Sequence, residues 1–108
     1  RQMCIETDPE EVLKRLGENT AVVCYNDEVA FGLVKCLLSA GRRVPEDVAV
    51  VSFDNSNLSW ISQVPITSLS YEDRNIGRIA AQKLVDILDG RDVSSEVLPW
   101  TFIQKESS

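Results

Sequence analysis

The stretch from Thr20 to Asn57, TAVVCYNDEVAFGLVKCLLSAGRRVPEDVAVVSFDNSN, constrains the fold most, because it reads as two apolar strands joined by one helix. Thr20 to Tyr25 is a continuous apolar run with β-branched valines, followed at once by Asn26, Asp27 and Glu28. A run this short, bounded by turn and cap chemistry, suits a strand covered on both faces. Either Asp27 or Asn26 can cap the next helix, since their side-chain oxygens accept bonds from its unpaired amides. Val29, Ala30, Leu33, Val34, Leu37 and Leu38 then recur at helical spacing. Gly41 supplies a left-handed stop, and Pro45 keeps the helix from resuming. The second strand, Val48 to Phe53, ends in Asp54 and Asn55.

Such a unit almost always makes a right-handed crossover between parallel strands, so Asn26 and Asp54 are expected on the same rim of the sheet. Ligands of open α/β sheets collect outside the carboxyl ends of the strands. An amide and a carboxylate suit a polyol there, because the amide donates and accepts while the carboxylate accepts from hydroxyls. The plainer reading is that Asn and Asp follow strands because they start helices and turns.

The chain is 108 residues long, enough for one domain with a core but short for a two-lobed sensor. No signal peptide or membrane span is visible in RQMCIETD or beyond. The net charge of −6 and the lack of His argue against a nucleic-acid surface on this segment. Arg42 and Arg43 are expected to serve the carbonyl end of the preceding helix. Three cysteines, Cys4, Cys24 and Cys36, have no metal-binding spacing and suggest a reducing, cytoplasmic setting.

Elsewhere, Met3 to Ile5 reads as a short strand, and Asp8, Pro9 and Glu10 open a helix closed by Gly17. NSNLSWISQVP has the composition of a loop, yet Leu58, Trp60, Ile61 and Val64 make it either folded inward or a contact surface. Thr67 to Tyr71 is a strand or an extended crossing. A helix from about Asp73 to Leu88 stops at Gly90, with Gly77 inside it, and Val97 to Gln104 reads as a last edge strand despite Pro99. No catalytic residue is identified: without His the usual proton-transfer partner is missing, and no glycine-rich phosphate loop follows a strand. Asp27, Glu28 and Asp54 could gather around magnesium, although capping and a solvated turn are the better account of them. No cofactor is expected.

The segments CYNDEVAFG, GRRVPEDVAVVSFDNS, PITSLSYEDRNIGRIAAQKL and QKESS resemble, in this order, the C-terminal part of LacI/GalR-family repressor sensor domains. The resemblance implies an α/β fold, a parallel-sheet α/β sandwich forming part of a periplasmic-binding-protein-like lobe. It divides the chain into about 1–66 and 97–108 in the C-terminal lobe and 67–96 as crossover and a helix resembling part of the N-terminal lobe. It further implies a sugar-sensing, dimerising segment of a bacterial repressor, with DNA contacted only through a domain absent from this chain. Asn26 and Asp54 match effector-binding positions, Tyr71 falls where a side chain often lines the cleft, and Asp27 is left chiefly as a cap. Phe31, Leu58 and Ile61 resemble homodimer contacts. Trp60 joins them by proximity, or else is a core aromatic covering the end of the sheet. Ser52 stands where the family usually has Gly, Asn55 where a second Asp is frequent, and Lys105 where Arg is usual. The CYNDE and SFDNS wording is similar to arabinose-type repressors, whose DNA-binding domain is of the GntR winged-helix type, and favours a monosaccharide such as a pentose. The alternatives are a periplasmic-type sugar-binding transport protein and a magnesium-dependent enzyme using the rim carboxylates.

Overall fold

A computed structural model describes residues 9–17, 20–71 and 75–108. The elements run α1 (Pro9–Arg15), β1 (Thr20–Val23), α2 (Asp27–Ser39), β2 (Val48–Phe53), α3 (Asn57–Ile61), β3 (Thr67–Ser70), α4 (Ile76–Leu88) and β4 (Thr101–Ile103). The expected strand at Met3 to Ile5, the cap at Asp8, the thiol of Cys4 and the helix start at Asp73 lie outside the described residues. Two compact units result: one takes the chain up to Ser70 together with Phe102–Ser108, and the other is Tyr71–Thr101. Thr67–Ser70 falls in the first unit, where it pairs with β2 as a strand.

The sheet order is β1-β2-β3-β4, with β1 to β2 and β2 to β3 both parallel. Helix α2 lays Ala30, Leu33, Val34 and Leu37 against the sheet, where Val48 and Val50 of β2 meet them together with Cys24, Val44, Val12 and Ile66. Burying each of these larger aliphatic side chains contributes roughly 1.5–3 kcal/mol. The opposite face differs from expectation. Val23 is 60% exposed and Tyr25 81% exposed, so β1 is covered on one face only among the described residues. A continuous apolar run does not reveal how many layers lie over it.

Both long helices end the same way. At α2, Gly41 takes φ 76°, Arg42 N donates to Leu37 O (2.9 Å) and Gly41 N to Leu38 O (3.1 Å). At α4, Gly90 takes φ 78°, Arg91 N donates to Asp86 O (2.9 Å) and Gly90 N to Ile87 O (3.0 Å). This paired pattern satisfies the last carbonyls through the backbone and requires the left-handed residue that glycine supplies. The arginine side chains after α2 are consequently not needed at its end. Arg43 instead forks onto Asp47, with Nη2 to Oδ1 at 2.7 Å and Nε to Oδ2 at 3.1 Å, rather than reaching the carbonyl end of α2. These hydrogen bonds hold the Asp47 carboxyl down at about 2.

NSNLSWISQVP contains the short helix α3, whose five residues are too few to show a helical period. In the second unit, Asn75 caps α4 by accepting from Arg78 N (3.0 Å). A Cβ at Gly77 would meet that capping oxygen at 3.3 Å, so the glycine makes room for its own helix's cap. Tyr71 stacks on Trp100 with ring centres 3.9 Å apart. Helix α4 has no buried residue and exposes Leu84, Val85, Ile87 and Leu88.

The last strand is shorter than expected, Thr101–Ile103 rather than Val97–Gln104, and the chain after it takes up a different task. Ser107, fully buried, is wedged beside the first β2–β3 pair, Val51 and Thr67. Val50 N donates to Ser107 O (2.8 Å), Thr67 N donates to Ser107 Oγ (2.8 Å), and Ser107 Oγ donates to Val50 O. Replacing Ser107 by Ala removes the acceptor of a buried amide and the donor to a buried carbonyl. We expect a loss of about 1–3 kcal/mol in urea unfolding; unchanged stability would show that the wedge is dispensable.

Candidate functional site

The strand register locates the rim. Val23 pairs with Val51, so the residues three further along, Asn26 and Asp54, occupy equivalent positions at the carboxyl edge of two adjacent parallel strands. Neighbouring strands lie about 4.8 Å apart. Asn26 is the N-cap of α2, with φ −153° and its Oδ1 accepting from Val29 N at 2.9 Å. Capping uses the carbonyl oxygen and leaves the amide NH2, with two donors, to other partners. Asp54 is exposed and begins a turn with two successive left-handed residues, Asp54 at φ 99° and Asn55 at φ 52°. Such backbone costs on the order of 1–3 kcal/mol per residue, least for Asp and Asn, and must be held by its surroundings.

Asp27 is where the sequence reading needs correction. It does not cap α2. Its side chain is 1% exposed and accepts from Ser52 Oγ, from Ser68 Oγ (2.9 Å) and from Ser56 N. Ser52 and Ser68 are register partners on β2 and β3. Two serines buried at paired positions of adjacent strands are a signal that a polar group is buried between them. With its oxygens so engaged, Asp27 is not available as a magnesium ligand. Among the described residues, no three His, Cys, Asp or Glu side chains are grouped to hold a metal.

Lys105 completes the polar interior. Its Nζ donates to Asn55 Oδ1 (2.7 Å), Ser59 Oγ (2.8 Å) and Ile66 O (2.9 Å), and lies 4.2 Å from the centre of the Trp60 ring. Three acceptors match the three N–H groups of an ammonium, with the ring face adding a cation–π contact. Burial lowers the Lys105 pKa, and the negative charge of Asp27 opposes that shift.

The remaining expected residues fall in two places. Phe31 of α2 and Ile61 of α3 line one groove with Val34, Lys35, Ser62 and Gln63, about 220 Å³ in volume. Trp60 is 54% and Ile61 69% exposed, while Leu58 is half-buried. Trp60 thus covers Lys105 and faces solvent rather than filling the core. Tyr71 belongs to the second unit, half-buried on Trp100. Cys24 is a buried thiol and Cys36 a half-buried one. No helix is long and apolar enough to cross a membrane among the described residues.

The periplasmic binding protein-like domain family matches residues 2–108. Among curated proteins, the chain is 31% identical over 88 residues to the HTH-type transcriptional repressor PurR of Vibrio atlanticus (strain LGP32), covering 82% of this chain and 26% of that protein. It is 34% identical over 85 residues to the arabinose metabolism transcriptional repressor of Geobacillus stearothermophilus, covering 77% and 23%. Among solved structures, a transcriptional regulator CelR–cellobiose complex superposes with a TM-score of 0.82 at 33% identity, covering 93% of this chain and 31% of that one. The chain spans about a quarter of the length of these curated relatives.

The geometry separates the two aspartates by burial, Asp27 being buried and Asp54 exposed. Asp27→Ala strands two buried hydroxyls and an amide and should cost about 3 kcal/mol. Asp54→Asn, at an exposed site whose backbone Asn tolerates, should stay within about 0.5 kcal/mol. Denaturant unfolding of both variants checks the contrast, and equal losses would contradict it.

Proposed function

The chain belongs to the periplasmic binding protein-like domain family, and from that premise we propose that it is the small-molecule-sensing and dimerising segment of a bacterial transcriptional repressor of the LacI/GalR kind. The observation that carries the reading is the register that brings Asn26 and Asp54 to one carboxyl edge. The exposed Asp54 carboxylate can accept from two neighbouring hydroxyls, and the Asn26 NH2 can donate to a hydroxyl or ring oxygen. Hydrogen bonds to a charged acceptor contribute about 1.5–3 kcal/mol each.

A sugar is the effector class that fits this donor and acceptor set. It is supported by one relative named for arabinose metabolism and a solved relative holding cellobiose. The effector proposed is a monosaccharide. Lys105 spends its N–H groups on Asn55, Ser59 and Ile66, so its charge is not offered to an anion at the rim. A neutral polyol is therefore favoured over a sugar phosphate. Tyr71 is retained as an effector contact on the family resemblance alone.

Binding that favours one conformation over another shifts the population, and a dimer transmits the shift to DNA-binding domains elsewhere in the full-length protein. The proposed homodimer contacts are Phe31, Leu58, Trp60 and Ile61, supported by the exposure of the last two beside the α2–α3 groove.

Calorimetry of the full-length protein with L-arabinose and cellobiose tests the sensing role. Asp54→Asn should weaken the binding sugar by about tenfold or more. Affinity equal to that of the parent would remove Asp54 from the site, and no heat with either sugar or with other neutral sugars would remove the class. For the interface, Ile61→Asp should move a dimer towards monomer in light scattering at micromolar concentration, because it places a charge in an apolar contact. A dimer that persists would move the interface off α3.

A further inference from the structure

We propose that Asp27, Ser68 and Lys105 are positioning residues for the Asp54 carboxylate: together they clamp the Asp54–Asn55 turn in its left-handed form and tie it to helix α3. The inference rests on the reading of Asp54 as an effector contact and adds how that contact is held and where its movement is felt.

The clamp is built from both sides of the turn. Three successive amides are fixed from one side: Asp54 N donates to Leu69 O (2.9 Å), Asn55 N to Ser68 Oγ (2.9 Å), and Ser56 N to Asp27 Oδ2. The Ser68 hydroxyl hands its own proton to Asp27 Oδ1 (2.9 Å), so two of the three amides end on one buried carboxylate. From the other side, Lys105 Nζ holds the Asn55 side chain (2.7 Å) and Ser59 Oγ (2.8 Å). Ser59 Oγ in turn donates to Ser56 O (2.7 Å).

These contacts explain why two non-glycine residues keep positive φ in succession. They also reach the exposed face of α3. Ser56 is the N-cap residue of that helix, and Lys105 lies against Trp60 on its surface. Asp27 and Ser68 are buried and do not reach the rim themselves, so they act through the turn. A polyol that displaces Asp54 must displace Asn55 and Ser56 with it, making the rim and the α3 face one mechanical piece. Direct contacts between bonded groups, rather than distance alone, are what such coupling requires.

Hydrogen exchange read by mass spectrometry on the full-length protein without sugar tests the clamp. Ser68→Ala and Lys105→Met should each speed exchange of residues 53–62 at least tenfold while leaving residues 27–39 of α2 within about twofold. Asn55→Asp, which keeps an acceptor for Lys105, should retain slow exchange. Unchanged exchange at 53–62 in Lys105→Met would overturn the proposal, as would an equal rise throughout α2 and the sheet. Should Ser68→Ala fail to fold, Lys105→Met alone decides the outcome, since that side chain sits at the edge of the core. Because no sugar is present, failure of the clamp appears here, whereas failure of the sensing assignment appears only in the calorimetry of Asp54→Asn.

Discussion

The buried carboxylate of Asp27 is the interaction on which the rest of the first unit depends. Taking an ionised carboxylate out of water costs several kcal/mol unless hydrogen bonds replace its hydration. Here the replacements come from three separate elements: Ser52 on β2, Ser68 on β3 and the backbone amide that opens α3. Each donor reaches the carboxylate only if α2 starts where it does and if β2 and β3 pair with Ser52 opposite Ser68. A slip of one residue in either strand would turn its serine to the other face and take a donor from the carboxylate. The apolar contacts of Leu37, Val48 and Val50 supply the driving force for packing but tolerate several registers. The polar contacts at Asp27 tolerate one.

The sequence discloses those parts of the fold that depend on local chemistry. Val48 to Phe53 is the observed second strand, and the core face of α2 follows from its apolar spacing, because each pattern lies within one element. Gly41 and Gly90 mark helix ends because a left-handed residue is needed where a helix turns back. What escaped notice is non-local. Asn26 and Asp27 are both competent caps, and the choice between them is made by serines 25 and 41 residues away. The Ser107 wedge likewise depends on Val50 and Thr67, far earlier in the chain. The uncovered face of β1 has the same origin, since layers over a strand are not written in the strand.

The three residues that the family resemblance marks as departures, Ser52, Asn55 and Lys105, are neighbours in this network. Ser52, where Gly is usual, adds a donor to Asp27. Asn55 and Lys105, where Asp and Arg are usual, bond to each other. A lysine offers three N–H groups around a point, whereas an arginine presents a flat fork suited to a carboxylate. The amide of Asn55 needs only one of those groups, which frees the other two for Ser59 and Ile66. Lys105 thus ties the turn to the C-terminal segment through a branched hydrogen-bond set.

The same register that locates the rim also locates its support. Position 26 answers to 54 across β1 and β2, and by the same offset 27 answers to 55. In each strand's exit, then, one polar residue is placed at the edge and the next is drawn inward. Asn26 and Asp54 retain hydrogen-bonding groups not used by the fold, while Asp27 and Asn55 are bonded to Ser52, Ser68, Ser56 and Lys105. A side chain whose acceptors are already satisfied inside has little left to offer a ligand. The dipeptides Asn26-Asp27 and Asp54-Asn55 are therefore better understood as one residue left open at the edge and one anchor each.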